Sequence, residues 1–136
     1  ADAVVYYIGQ GAGGQPSLYR ARINADNSTT SEELVEGIEN LQFRFGRDLN
    51  AAGTPPAGYV ATQGTATDVG TAVAEWRRVG QVQVALLASS PDRAASAQAT
   101  QVAPTLLGVT ATLPADGRYR AVYESTIALR NRLYGN

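Results

Sequence analysis

The sequence predicts a β-rich α+β fold in which antiparallel strands predominate. Three stretches contain the apolar–polar alternation of a strand with one solvated face, namely residues 15–23, 41–45 and 79–89. Clusters of glycine, proline and small polar residues separate the apolar segments and are typical of turns between strands. Helical patterning is short by comparison, so we expect strands to form the framework.

Length and charge indicate one domain, residues 1–136, with no strong electrostatic preference. A chain of 136 residues buries about two thirds of its unfolded surface. A net charge of −1 gives no attraction to nucleic acid or to an acidic membrane, and no nucleic-acid partner is inferred. No apolar run approaches the roughly 18 residues of a membrane span. Since methionine is absent, we expect a processed form or a piece of a longer chain, with any anchor upstream of Ala1.

The missing residue types exclude several kinds of chemistry. The chain has no histidine, cysteine or lysine, and all eleven basic residues are arginine. A histidine-driven serine nucleophile, a thiolate nucleophile and a lysine Schiff base are therefore impossible. A zinc site would have only carboxylate ligands, which is unusual. We predict no catalytic residue, no metal ligand set and no cofactor.

The first 23 residues predict a β-hairpin. Residues 1–8 are rich in β-branched and aromatic side chains and apolar on both faces, which indicates a strand covered on both sides. Residues 9–14 supply four glycines, and residues 15–23 return with one solvated face. The glycines match the spacing of a dinucleotide-binding loop, but that loop requires a helix to follow. An alternating strand follows instead, so a tight turn is favoured.

Residues 31–48 are compatible with a helix or with strands. Apolar side chains recur at the helical spacing i, i+4 and i+7, at Leu34, Ile38 and Leu41, and Thr30 with Glu33 resembles a capping box. Against a helix, Gly37 interrupts the segment at a cost of about 1 kcal/mol relative to alanine. Residues 41–45 alternate strictly, which favours a strand.

The same segment carries four of the twelve carboxylates of the chain, at Glu32, Glu33, Glu36 and Glu39. These glutamates are candidates for acid–base catalysis, which requires two carboxylates facing each other across a cleft. Four glutamates in eight residues are more typical of a solvated strand edge that prevents aggregation. Residues 47–53 have part of the spacing of a calcium loop, but Ala51 and Ala52 stand where ligand oxygens are needed.

The remaining segments alternate loops with short regular elements. The predicted loops are residues 24–31, 49–66 and 90–101, the last expected to be mobile, and a turn at 114–117. The predicted regular elements are one or two helical turns at 67–76 led by Asp68, and strands at 79–89, 105–113 and 119–133, with a helical end for the last strand as an alternative.

Trp76, with Arg77 and Arg78, is the candidate ligand-binding residue. An exposed indole beside two arginines can stack on a sugar or a nucleobase. The alternative is that the indole covers the core where the chain enters the strand at Val79, which is the commoner use of a large aromatic side chain.

Four segments, in order, resemble the C-terminal globular region of the PilW family of type IV pilus minor pilins: residues 4–20, 33–46, 76–87 and 126–133. The theme "LVEGI…LQFRF" in the second segment is also similar to the J-type pseudopilins of type II secretion. The resemblance implies a pilin-like antiparallel sheet domain without enzymatic activity. It also implies that residues 33–46 are extended, as two strand pieces broken at Gly37, with Leu34, Ile38, Leu41, Phe43 and Phe45 turned towards a core and the glutamates left to water or a neighbour.

The resemblance further implies a place and a set of partners. Such subunits wait in the bacterial inner membrane with the globular domain in the periplasm, and later become part of the extracellular pilus, at or near its tip. The implied partners are other minor pilins and the major pilin, and an upstream N-terminal chain or domain. From the resemblance we expect the N-terminal anchor helix and the first β segments of the family to be absent from residues 1–136. A type II secretion pseudopilin and a ligand-binding adhesin module at the pilus tip are the alternatives.

Exposure of the first strand has a consequence for the isolated chain. If residues 1–8 present an apolar face to solvent, we expect the chain to dimerise or aggregate.

Overall fold

Strands account for 61% and helices for 7% of the residues that the structure describes, and the sheets are antiparallel, as predicted. The structure is a computed structural model and describes residues 3–49, 60–94 and 102–129. Nine strands and two helices follow one another in these ranges: β1 Ala3–Gln10, β2 Pro16–Ile23, β3 Thr29–Glu36, β4 Ile38–Arg47, β5 Thr62–Gly64, α1 Ala66–Val69, α2 Val73–Trp76, β6 Val79–Arg93, β7 Thr105–Leu106, β8 Val109–Thr110 and β9 Arg118–Ala128.

The strands form three sheets, with the orders β1-β2-β3, β5-β4-β6-β9 and β7-β8. By internal contacts the chain divides into two compact units. The first unit contains Ala1–Leu41 and Leu86–Tyr123, and the second contains Gln42–Ala85 and Glu124–Asn136. The prediction of one domain over residues 1–136 stays a prediction.

The predicted hairpin forms two of the three strands of the first sheet, which lies in the first unit. β1 pairs antiparallel with β2 over their full lengths, with Tyr7 opposite Tyr19, and the two rings stack with centroids 5.3 Å apart. The glycine cluster makes the turn, in which the Gly11 amide donates to the Gln15 carbonyl at 2.7 Å and Gly14 has a φ of 85°. The glycines therefore serve a tight turn and open no helix.

Residues 31–48 form two strand pieces broken at Gly37, as the resemblance implied, and the helical alternative is wrong. Gly37 has a φ of 84°, which favours glycine. Its amide donates to the Pro16 carbonyl at 2.9 Å, and its carbonyl accepts from the Ser89 amide at 2.8 Å. Pairing of β3 with β2 satisfies the backbone groups that an isolated helix would have bonded internally.

Two other predictions in the first unit need correction. The strand predicted at 105–113 is two short strands, β7 and β8, joined at Leu107 and Gly108, whose φ values are 47° and 89°. Positive φ at both central positions matches the twist of a tight hairpin and ends the strand there. The loop predicted at 90–101 begins later, because β6 continues to Arg93, and residues 95–101 lie outside the described residues.

The second unit contains the predicted helical turns. Thr65 caps α1, accepting a hydrogen bond from the Asp68 amide at 3.2 Å, while the Asp68 carboxylate accepts from the Thr65 amide at 2.8 Å. Asp68 thus completes a capping box within the helix that it was predicted to lead. The short strand β5 interrupts the loop predicted at 49–66, of which residues 50–59 lie outside the described ones.

Small and branched apolar side chains form the buried core of each unit. In the first unit these are Ala21, Ile38, Leu87, Leu106 and Ala111, and in the second Val69, Val79 and Ala85. Of the five residues expected to face a core, Ile38 is buried and Leu41 and Phe45 are half-buried. The expectation is wrong for Leu34 and Phe43, which are exposed. None of the described helices has the length and apolar character needed to cross a membrane.

β9 confirms the strand predicted at the C-terminal end, and it ends at Ala128. The alternative of a helical end falls on residues 129–133, of which residues 130–133 lie outside the described residues.

Candidate functional site

The outer edge of β1, here called the β1 edge (Ala3–Gln10), is an exposed apolar surface of the first unit. Four consecutive side chains, from Val4 to Tyr7, are 37–49% exposed. Since successive side chains of a strand point to opposite faces, both faces of β1 are open in the structure. The expectation that this strand is covered on both sides is therefore wrong for the described chain.

The β1 edge lacks the devices that usually protect a sheet edge. β1 is an end strand of its sheet, and in the described part of the chain it pairs only with β2. Its eight residues, AVVYYIGQ, include no charge and no proline. A long, uncharged and apolar edge is a template for pairing with a strand of another chain.

The opposite edge of the same sheet, the β3 edge (Thr29–Glu36), carries charge. Glu32, Glu33 and Glu36 lie on it, and Leu34 and Val35 beside them are exposed to a degree similar to the β1 residues. The register shifts by one residue opposite Leu18 and Tyr19, which is a β-bulge. Charge and a bulge both oppose strand addition at this edge.

Two of the β3 glutamates bind within the sheet. Glu32 forms an ion pair with Arg20, with a nitrogen–oxygen distance of 2.6 Å. Glu33 accepts a 2.8 Å hydrogen bond from the hydroxyl of Ser17, which is fully buried, and one at 3.2 Å from the Ala12 amide. Glu33 therefore ties the hairpin turn to β3, and this arrangement does not place two carboxylates across a cleft.

The hydroxyl of Tyr19 completes the bonding at this end of the hairpin, because it donates to the Gln10 carbonyl at 2.6 Å. Partial burial, with a smaller contribution from the charge of Glu33, raises the pKa of Tyr19 above its ordinary value of 10.0. The phenol therefore remains a hydrogen-bond donor at neutral pH.

The fourth glutamate, Glu39 on β4, lies in an ion cluster inside the first unit. The guanidinium of Arg120, whose side chain is 2% exposed, forms two hydrogen bonds to Glu39 at 2.7 and 2.8 Å. It forms two more to Asp116, at 2.8 and 2.6 Å. The expectation that the glutamates are left to water or to a neighbour is therefore wrong for Glu39.

The cluster shifts the pKa of both its arginine and one carboxyl. Hydrogen bonds from Arg120 and, more weakly, from the Arg118 amide lower the pKa of Asp116 from 3.8 to about 2, against an opposing effect of burial. Hydrogen bonds to Glu39 and Asp116 raise the pKa of Arg120 above its ordinary value. Asp116 and Arg120 are therefore charged at neutral pH, and each carboxylate of the cluster is engaged by the Arg120 guanidinium. The cluster links β4 to β9 and has a structural role.

Sequence patterns did not reveal this cluster. Glu39 and Arg120 are 81 positions apart in the chain, and neither belongs to a recognisable spacing. The only sequence signal is the short separation of Asp116, in the turn that precedes β9, from Arg120, near the start of β9.

The structure adds little to the candidate calcium loop at residues 47–53, whose residues 50–53 lie outside the described part of the chain. Arg47 forms a 3.0 Å ion pair with Glu75, and the Asp48 amide donates to the Arg78 carbonyl at 2.9 Å. Within residues 3–49, 60–94 and 102–129, no three acidic side chains come together as metal ligands would.

Trp76 packs within the second unit in the way that the core-covering alternative required. Its ring meets Phe45 edge-on, with centroids 4.9 Å apart, and its indole N–H donates to the Gly70 carbonyl at 2.7 Å. The ring is half-buried and lines a cavity of about 390 Å³ together with Val79 and Leu129. The polar atom of the indole is thus bonded internally, while apolar ring surface faces the cavity.

A comparison with protein families matches residues 5–131 of the chain to the PilW model, whose description is Type IV Pilus-assembly protein W. The match extends from within β1 to beyond the end of β9. Neither the comparison with curated proteins nor the comparison with solved structures gave a match.

Proposed function

The chain belongs to the PilW family of type IV pilus-assembly proteins, and on that basis we propose that it is a structural minor pilin subunit. Its role in pilus assembly is to pack against other subunits and help to initiate the fibre, at or near the tip. The exposed β1 edge is the observation that supports this role, because an unprotected apolar edge is suited to strand addition or apolar packing by a neighbour.

The proposal includes the cellular setting. Membership of the family places the protein in the cell envelope, in association with pili. The globular domain stands in the periplasm before assembly, held in the inner membrane through an N-terminal helix outside residues 1–136, and is extracellular in the finished pilus. The partners are other minor pilins and the major pilin.

The proposal also holds that the chain makes and breaks no covalent bond. Support comes from the carboxylates that were the best catalytic candidates. Glu32 pairs with Arg20, Glu33 bonds to Ser17, and Glu39 is enclosed with Arg120. These contacts give each of the three a structural role in the sheet or in the unit.

A matched pair of lysine substitutions tests the assembly role. Val5 on β1 and Val35 on β3 are 47% and 48% exposed, so lysine at either site meets a similar amount of solvent. Each substitution is introduced into the chromosomal gene of the host, and surface pili are counted by electron microscopy and by the amount of pilin sheared from the cells. We expect Val5→Lys to reduce surface pili by about tenfold or more, because a charge on an edge strand prevents pairing. Val35→Lys should leave them unchanged.

Protein level in the envelope and the urea midpoint of the purified chain confirm that each variant folds. If Val5→Lys lowers the protein level, Val4→Lys on the opposite face of β1 replaces it. Normal piliation with a folded Val5 or Val4 variant would refute the proposed role of this edge. Equal losses from Val5→Lys and Val35→Lys would refute its specificity.

A further inference from the structure

The second unit contains an apolar pocket with a cation at its rim, here called the Trp76 pocket. It has a volume of about 390 Å³, which is at the small end of the range for ligand pockets, about 300–1,000 Å³. In the described part of the chain, six apolar side chains and one arginine line it: Phe45, Val73, Trp76, Arg77, Val79, Val82 and Leu129.

The walls of the Trp76 pocket are held in place by contacts within the second unit. Trp76 is fixed by its edge-on contact with Phe45 and by the hydrogen bond from its N–H to Gly70. Val79, which also lines the pocket, is buried, and the Leu129 amide donates to the Gly80 carbonyl at 2.8 Å. The rim is open, since Val73 is 67% exposed. A preformed apolar pocket with an open rim binds an apolar group at low conformational cost.

The charge at the rim comes from Arg77. Its neighbours Arg47 and Arg78 both pair with Glu75, at 3.0 and 3.7 Å. Arg77 is exposed, and in the described ranges its guanidinium forms no hydrogen bond and no ion pair. An unpaired guanidinium beside apolar walls complements a ligand that has an apolar part and a carboxylate next to it.

The chemistry of the lining argues against a sugar. Sugar recognition requires several hydrogen-bonding groups around a stacking ring, and here the indole N–H is already bonded to Gly70. Among the residues that the structure describes, Arg77 is the one polar side chain that lines the cavity. The pocket therefore matches an apolar side chain better than it matches a hydroxylated ring.

We propose that the Trp76 pocket binds an apolar side chain of another pilus subunit whose neighbouring carboxylate pairs with Arg77. The proposal depends on the assembly role only for the source of the ligand. It makes this pocket a second contact point, separate from the β1 edge, at which one anchoring side chain enters a shaped apolar site.

Three blocked peptides, titrated into the purified chain, test the proposal. They contain leucine followed by glutamate, leucine followed by glutamine, and glycine followed by glutamate. Since Trp76 is the single tryptophan of the chain, its fluorescence and its indole N–H resonance report on this pocket alone. We expect the leucine–glutamate peptide to bind most tightly, by about two- to fivefold over the leucine–glutamine peptide, which is the range for an exposed ion pair. The glycine peptide should not bind.

Substitutions at the rim test the contributions of the carboxylate and of the apolar side chain of the ligand separately. Arg77→Gln should abolish the preference for glutamate over glutamine, while Val73→Ser should weaken binding of both leucine peptides equally. Arg93→Gln, which removes an exposed arginine from the first unit, is the matched control and should change neither. Circular dichroism verifies the fold of each variant.

Several results would overturn the proposal. These are no shift of the indole resonance with any peptide, equal responses to all three, or a glutamate preference that survives in Arg77→Gln. A response to protein concentration alone would identify a second copy of the chain as the occupant, and a response to glucose would identify a glycan. The titration involves no pilus, so its failure leaves the piliation test of the β1 edge unaffected.

Discussion

The two edges of the first sheet flank the same central strand, β2, and expose similar apolar side chains, yet they differ in charge. β1 carries no charged residue, whereas β3 carries three glutamates within eight residues. Exposure of valine is nearly equal on the two edges, at Val5 and Val35. Charge and the β-bulge of β3, and not the degree of exposure, therefore distinguish the protected edge from the edge that is open to a partner.

If charge protects the β3 edge, the glutamates of the acidic run divide into two groups. Glu39 stabilises the fold, whereas the β3 glutamates keep their edge soluble, and substitution of Glu39 is expected to have the largest effect on stability. Glu39→Ala should lower the free energy of unfolding by about 3 kcal/mol, because it leaves the buried Arg120 without one of its two carboxylate partners. Glu36→Ala, on the exposed β3 edge, is the matched control and should change it by less than about 0.5 kcal/mol. Urea unfolding of the purified chain measures both.

Equal effects of the two substitutions would contradict the division. The expected loss of stability in Glu39→Ala also affects how a test of catalysis is interpreted. A combined alanine substitution of Glu33, Glu36 and Glu39 would unfold part of the first unit, so loss of any function in that variant would not identify an acid–base residue.

The pH dependence of stability distinguishes the ion cluster around Arg120 from the glutamates of the β3 edge. The pKa of Asp116 is lowered from 3.8 to about 2 in the folded chain. Because the folded pKa is lower, Asp116 stabilises the fold fully above about pH 4, and this contribution is lost as the pH falls towards 2. We expect the urea midpoint to decline over this window, and to decline less in Asp116→Asn. An unchanged slope in that variant would show that Asp116 is not the responsible group.

A smaller effect is expected at the hairpin turn. Glu33→Ala removes the acceptor of the buried Ser17 hydroxyl and of the Ala12 amide, and should cost about 1–2 kcal/mol of stability. Any decrease in surface pili should be explained by the decrease in stability alone, since Glu33 bonds within its own sheet. If the folded variant lost pili with unchanged stability, the β3 edge would have a partner of its own and the comparison would fail.

The smallest effect belongs to the exposed pair of Arg20 and Glu32, whose side chains are 35% and 57% exposed. Glu32→Ala should lower the melting temperature by no more than about 2 °C, and about 0.5 M salt should remove the difference, because exposed ion pairs are weak and screened. A shift that is larger and insensitive to salt would mean that this glutamate has a structural role comparable to that of Glu39.

Local patterns were sufficient to predict the elements whose structure depends on nearby residues. The glycine cluster and the alternation of residues 15–23 predicted the hairpin, and Gly37 marked the break between β3 and β4. Gly37 adopts a positive φ that few residue types other than glycine tolerate, so the break can be recognised from the sequence alone. The two-residue turn at Leu107 and Gly108 was missed because leucine rarely takes such a φ.

Features that depend on distant parts of the chain were not predictable. The enclosure of Glu39 depends on Arg120, which lies on another strand, and the exposure of Phe43 depends on what packs on β4. The same limit applies to the Trp76 pocket. The indole was singled out from the sequence, but the contribution of Val73 and Leu129 to its walls requires the fold.

The most direct test of the central claim is site-specific photo-cross-linking in living cells. A photoreactive amino acid replaces Val5 on β1 or Val35 on β3 in the full-length protein, and cross-linked partners are identified by mass spectrometry after illumination. We predict cross-links to another pilus subunit from position 5 and none from position 35. Cross-links from position 35 alone, or from neither position in piliated cells, would contradict it.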